Sequence, residues 1–264
     1  MLGLSESEFS HLADTAHAII HNGADVSFMK TYASLRRPNV LSTRVLAEMA
    51  LSRGIPFHFI STASVALFAC RNDDAPSSLP EVSVASHIPP PDATANSGYA
   101  ASKWVGEVLL EKIFSDFSLQ TWIHRPTSVV GDGAPATDMI PILLRYSKMI
   151  GAVPKTYGMV SGVFDFIHVE KAVDGVVECA LGTGGSEQDV GKVRFVHHCN
   201  PRKVEPAGFR RYMEKSEGNG FEELSMEEWV EKAKEAGLEA LVYDFLKHAL
   251  DQGMPIQLPV IHRG

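Results

Sequence analysis

Two periods of apolar residues alternate along this chain. Phe9, Leu12, Ala13 and Ala16 recur three and four apart, the spacing of one helix face. Ser5 and Glu8 open that stretch at capping-box spacing. HAIIHNGA (17–24) follows, a short apolar run closed by Asn22-Gly23, which predicts a buried strand ending in a turn. RRPNVLSTRVLAEMALSRG (36–54) predicts a helix, with Pro38 in its first turn and Gly54 at its end. IPFHFISTASV (55–65) predicts a second strand, and its continuous apolar character suits a parallel sheet covered on both faces. Residues 70–98 carry Pro76, Pro80, Pro89, Pro90 and Pro91 without periodicity, so a long loop is expected there.

The next helix is expected from Tyr99 to about Phe117, with Trp104, Val108, Leu109 and Ile113 as its apolar stripe. LQTWIHRPTSVVG predicts a third strand, DMIPILLRYSKMIG and EKAVDGVVECALG two further helices, and KVRFVHHCN another strand. The tail reads as mostly helical, and Ser225 with Glu228 repeats the capping-box spacing. Beyond about residue 137 only that one clear strand is legible. Alternating strands and helices predict an α/β fold: a parallel sheet with helices on both faces. Residues 1–136 are expected to form a core, and 137–264 the remaining core elements plus a smaller, mostly helical cap.

Composition narrows the function classes. The 264 residues are 45% hydrophobic and 21% charged, an ordinary globular balance. The formal net charge of −8, with no block of Lys or Arg, argues against nucleic acid or an anionic membrane as partner. Three scattered cysteines suit a reducing compartment. No signal pattern and no membrane-length apolar run is present, so a cytoplasmic protein is expected.

SGYAASKW (97–104) carries the most specific chemistry. Tyr99 and Lys103 are four apart and share a helix face. A lysine ammonium beside a phenol stabilises the phenolate, making Tyr99 a proton donor or acceptor near neutral pH. Thr62 is expected at the carboxyl end of the second strand, the edge where ligands bind in open α/β sheets, with a hydroxyl for the oxygen that Tyr99 serves. Ordinary capping of the strand-to-loop turn is the alternative role for Ser61, Thr62 and Ser64. His197 and His198 are adjacent on a strand and face opposite sides, so no metal site is expected there.

The run of motifs LGLSESEFSHLADTAHAIIHNGADVSF, RPNVLSTR, FISTASV, SGYAASKWVGE, IHRPTSVVGDG, GAVP (151–154) and DFIHVEKAVDGV resembles an extended short-chain dehydrogenase/reductase. More narrowly, it is similar to the thioester-reductase (R) domains of nonribosomal peptide and polyketide synthetases. The resemblance covers residues 2 to about 176. It implies Thr62, Tyr99, Lys103 and Asn39 as the catalytic set. It also implies His21, Asn22, Gly23 and Ala24 beneath the cofactor's adenosine side and Arg125, Pro126 and Thr127 near the nicotinamide. His168 matches a position near the substrate cleft.

Against that pattern the chain starts past the family's first strand and its GxxGxxG turn, so a truncated Rossmann-like sheet is expected, short of a block of on the order of 60 residues. GDGAPA (131–136) and GTGGSEQDVG (182–191) read as loops rather than replacements. No cofactor is therefore expected, or NADPH if other elements complete the site. The strand HAIIHNGA should become a sheet edge, an association hazard, and a homo-oligomer through that edge is expected. The leading expectation is a non-redox enzyme of secondary metabolism. It would use Tyr/Lys/Thr acid–base chemistry on a polyketide or polyketide–peptide carbonyl, free or as a carrier-tethered thioester. The alternatives are an NAD(P)H-dependent thioester or aldehyde reductase whose cofactor-binding part lies elsewhere, and a binding protein with a vestigial pocket.

Overall fold

The computed structural model describes residues 3–70, 77–91, 97–133, 138–156, 158–182, 193–253 and 256–263. The second half of GDGAPA and all of GTGGSEQDVG but its first residue, Gly182, lie outside the described residues. Along the chain come α1 (Glu6–Thr15), β1 (Ile19–His21), α2 (Tyr32–Leu35), a π-turn (Arg36–Leu41), α3 (Ser42–Leu51), β2 (Phe57–Ile60) and a 3-10 turn (Ala63–Val65). Then follow α4 (Ala66–Ala69), α5 (Gly98–Phe117), β3 (Thr121–Pro126), β4 (Ser128–Val130), α6 (Met139–Ile150), β5 (Ala152–Pro154), β6 (Val160–Ser161) and β7 (Phe166–His168). The chain closes with α7 (Val169–Ala180), β8 (Arg194–His198), α8 (Phe209–Glu217), β9 (Glu222–Leu224), α9 (Met226–Glu235), α10 (Ala240–Asp251) and β10 (Ile256–Gln257).

Two compact units result. One comprises residues 1–127, 167–199 and 261–264, the other residues 128–166 and 200–260. The first holds a parallel sheet of order β1-β2-β3-β8. Its register sets Ile20, His58, Trp122 and Arg194 in one row across one face. On the opposite face Phe57, Phe59 and Ile123 pack with Ala47 and Ala50 of α3 and Leu110 of α5. Among the described residues β1 is an edge, and Ile20 on it is 46% exposed.

Both capping boxes form. Ser5 and Ser225 each accept from the backbone three residues on, while Glu8 and Glu228 reach back. The helix expected from residue 36 starts earlier, at Tyr32, with Thr31 as its N-cap. Pro38 thus lies inside a helical run, where its missing N–H and its ring break the regular ladder. The π-turn absorbs the fault. The hydroxyls of Ser42 and Thr43 take up the carbonyls of Pro38 and Asn39.

The face that α5 buries is not the expected stripe of Trp104, Val108, Leu109 and Ile113. It is Gly98, Ala100, Ala101, Ser102, Lys103, Gly106, Glu107 and Leu110. Gly106 and Gly98 are required by contact: a Cβ would stand 2.7 Å from Phe59 Cζ at Gly106 and 2.3 Å from Lys30 O at Gly98.

The second unit corrects the expectation of a single late strand. Short strands form there by pairing across sequence, β5 with β9 and β6 with β10, both parallel. Trp229 centres its core, with Nε1 donating to Ser147 Oγ at 3.1 Å and Ala152 O at 3.3 Å.

Candidate functional site

The carboxyl end of β2 and one face of α5 meet in the first unit. Tyr99, Lys103, Glu107 and Glu111 follow one another at four-residue intervals along α5, one above the next. Lys103 is 3% exposed. Its Nζ donates to Ile60 O at 2.6 Å and stands 4.8 Å from the Phe59 ring centroid and 6.0 Å from that of Tyr99. Burial pushes the Lys103 ammonium down to about 8, and the charge of Glu107 pulls the other way. Tyr99 is half-buried.

Strand β2 ends at Ile60, so Thr62 stands two residues past it rather than on it. Thr62 caps the 3-10 turn: its Oγ1 accepts from Ser64 N at 3.2 Å, and its hydroxyl hydrogen makes only a long contact of 3.3 Å to Ser64 Oγ. Thr62 is buried, and both of these contacts stay within the turn it caps.

Asn39 is buried in the π-turn. Its Oδ1 accepts from Asp25 N at 2.8 Å, and its Nδ2 donates to Asp25 O at 3.0 Å and to Ser102 Oγ at 2.9 Å. Ser102 in turn donates to Tyr99 O at 2.7 Å. His21 Nε2 lies 3.0 Å from Thr43 Oγ1, whose own hydrogen goes to Asn39 O, so His21 is the donor there. Burial, then the nearby Lys103 charge, hold His21 down at about 4. One chain of hydrogen bonds thus runs from the end of β1 through Asn39 to the Tyr99–Lys103 turn. Asn22 and Gly23 are exposed and Ala24 is half-buried.

In the Arg125–Pro126–Thr127 turn, Pro126 and Thr127 are half-buried and Arg125 is fully buried. Its Nη2 and Nε reach Glu107 Oε2 and Oε1 at 2.7 and 3.1 Å, and Nη1 donates to Val82 O at 2.9 Å. Thr127 N donates to His198 O at 3.0 Å. The sequence reading missed Glu107 and Val82 as Arg125's partners, and Ser61 as a partner of Glu107. The SGYAASKWVGE run contained the signal, since Glu107 falls one turn after Lys103. His168 is exposed and pairs with Glu170. His197 and His198 do face opposite sides, and among the described residues no cluster suited to a metal ion is found.

The parallel sheet topology and a Tyr–Lys helix beside the carboxyl end of β2 define a Rossmann-like α/β protein of the short-chain dehydrogenase type. The chain belongs to the NAD-binding family described as Male sterility protein, whose profile matches residues 1–176. It is 41% identical over 256 residues to the hybrid PKS-NRPS synthetase xenE of Xenoacremonium sinensis and 41% over 252 residues to the fusarin C synthetase of Gibberella fujikuroi. Those matches take in 97% and 96% of this chain but 6% of each synthetase. Among solved structures, the terminal R domain from the myxalamid PKS-NRPS pathway is 28% identical with a TM-score of 0.72, over all of this chain and 64% of that one. A dTDP-glucose 4,6-dehydratase from Streptomyces venezuelae with NAD bound shares the fold at 17% identity and a TM-score of 0.60, over 96% of this chain and 67% of that one.

Such a family implies a nicotinamide dinucleotide, and the described residues fit one end of it. Tyr99, Lys103 and Thr62 supply two hydroxyls and an ammonium, the donors that a nicotinamide ribose and a reacting carbonyl would call for. After His21 the backbone runs without helix to Thr31, and Asn39 occupies Asp25's N–H and C=O. This turn therefore offers no helix N-terminus to a pyrophosphate.

Proposed function

We propose that this chain carries the proton-transfer centre of a domain that releases or reshapes a polyketide or polyketide–peptide. The substrate is held as a thioester on a carrier protein's phosphopantetheine arm. The observation that carries this reading is the buried Lys103, fixed through Ile60 O two residues before Thr62, with Tyr99 one turn earlier on the same helix face.

In its non-redox form the chain's own residues complete the reaction. Tyr99, as a phenolate beside the Lys103 ammonium, takes the acidic proton between two carbonyls of the substrate. The carbanion attacks the thioester carbonyl while the Thr62 hydroxyl donates to the developing oxyanion. A C–C bond forms, the C–S bond breaks, and the departing thiolate takes the proton from Tyr99. Asn39, with its amide committed on three sides, acts as a positioning residue for this turn.

Membership of an NAD-binding family favours a second reading, NAD(P)H-dependent reduction of the thioester or aldehyde. The bound cofactor would supply the hydride, and Tyr99 would protonate the reduced oxygen. The pyrophosphate would then be held by residues other than those described, in a longer chain or a partner. We also assign a substrate-covering role to residues 137–264, self-association to the β1 edge around Ile20, and a cytoplasmic setting. No helix among the described residues is long and apolar enough to cross a membrane.

The test uses an N-acetylcysteamine thioester of a β-ketoacyl amino acid, with and without NADPH. Cyclic product and free thiol without cofactor support the first reading. Aldehyde or alcohol formed only with NADPH oxidation supports the second. Tyr99→Phe is expected to lose at least ~10²-fold in rate under either. An unchanged rate overturns both.

A further inference from the structure

We propose that Glu107 is a positioning residue that keeps Lys103 charged beside Tyr99, with Arg125 locking the Glu107 carboxylate in place. The inference rests on the reading of Tyr99 and Lys103 given above and adds a residue to it.

The geometry is specific. Two consecutive residues at the end of β2 stitch to two successive turns of α5. Ile60 O accepts from Lys103 Nζ, and the next residue, Ser61, donates its hydroxyl to Glu107 Oε1. Glu107 and Arg125 are both fully buried and paired through two N–H···O contacts, the fork geometry that fixes a carboxylate most firmly. Arg125's remaining face is also committed. Nη1 donates to Val82 O and lies 3.3 Å from His197 Nε2, and the guanidinium sits 4.6 Å from the Phe195 ring centroid. His197 Nε2 is the acceptor, because its Nδ1 donates to His262 O at 2.8 Å. The carboxylate is thus fixed in one orientation, one helical turn from a buried ammonium.

A pair serving packing alone would gain nothing from that spacing, and a buried pair is often no more stable than apolar residues of the same bulk. Lys103, by contrast, needs a fixed counter-charge. Burial disfavours its ammonium and Glu107 is the group that opposes this. Apart from Tyr99, whose charge the reaction itself changes, the groups facing Lys103 supply no fixed negative charge: the Phe59 ring, Ile60 O and a His21 held neutral. Glu111 lies a further turn along, and burial raises its own carboxyl toward the neutral form.

The experiment measures the pH dependence of Lys103 acylation by acetic anhydride, read by mass spectrometry, alongside the pH–rate profile on the thioester probe. In Glu107→Gln the Lys103 titration is expected to move down by about one pH unit, and the alkaline limb of the rate profile with it. Because that variant leaves Arg125 unpaired, the double variant Glu107→Gln, Arg125→Met is measured too, and the same direction is expected. A Lys103 titration unmoved in the variants overturns the inference. So does one lying below about pH 7 in the unmodified protein. A Lys103 titration that moves while the rate profile stays fixed leaves Glu107's role standing and overturns the Tyr99–Lys103 reading instead.

Discussion

Acid should open the first unit through its histidines, at a pH where most proteins are still secure. His21, His58, His124, His197 and His198 are all buried. His58 Nδ1 lies 3.1 Å from His124 Nε2, and His124 Nδ1 lies 2.8 Å from His198 Nε2. The three rings stack across β2, β3 and β8. These two contacts engage four of the ladder's six ring nitrogens, and burial disfavours a charge on any of the three rings. Burial is the first cause in every case and holds His124 at about 3 and the other four at about 4. Unfolded histidine titrates near ~6.5.

These groups are depressed in the folded state, so the unfolded chain binds more protons below that value. Stability is complete above pH 6.5 and falls as pH drops toward 4. At pH 5 one such histidine accounts for about 2 kcal/mol. The ladder members do not take protons independently, so the sum is smaller than five separate contributions. Even three would match much of an ordinary total of about 5–15 kcal/mol. Glu111 and Asp138, raised by burial, work in the opposite sense and offset part of the loss. Urea unfolding at pH 5.5, 6.5 and 7.5, at fixed ionic strength, gives the proton uptake from the slope of ΔG against pH. An uptake of about three or more near pH 5.5 is expected, falling by about one in His124→Asn. A slope below about 1.4 kcal/mol per pH unit, equivalent to one proton, would refute the reasoning.

Three further substitutions probe the packing beneath the site. Gly98→Ala drives a methyl into the Lys30–Thr31 backbone, which cannot turn aside; a loss of about 3 kcal/mol or more is expected by urea midpoint. Gly106→Ala meets only the edge of the Phe59 ring, so a smaller loss of about 1–3 kcal/mol is expected. Because that ring lies under Lys103, activity should fall more than stability does. Ile261→Ala empties a fully buried position that bridges to Leu79, and about 2–5 kcal/mol should be lost, read in the same assay.

Local order was written in local sequence. The capping boxes at Ser5–Glu8 and Ser225–Glu228, the strands at 19–21, 57–60, 121–126 and 194–198, and the shared face of Tyr99 and Lys103 all depend on residues within a turn or two of each other. Their spacing alone determined them. What tertiary structure decided is where distant residues had to meet. Ala152–Pro154 becomes a strand only because Glu222–Leu224 runs beside it. Arg125 and Glu107 look like surface charges in a linear chain and are instead the core of the α5 contact. Their buried side chains pair with one another, which no hydrophobic pattern registers. The histidine ladder needs the register of three strands. Thr62's place just beyond β2 needs the strand to stop at Ile60. The sequence by itself therefore determined the main strands of the first unit and the helix face that Tyr99 and Lys103 share. Which of its charges were buried, and what held them, was decided by long-range packing, because only there does the cost of desolvating a charge meet the partner that offsets it.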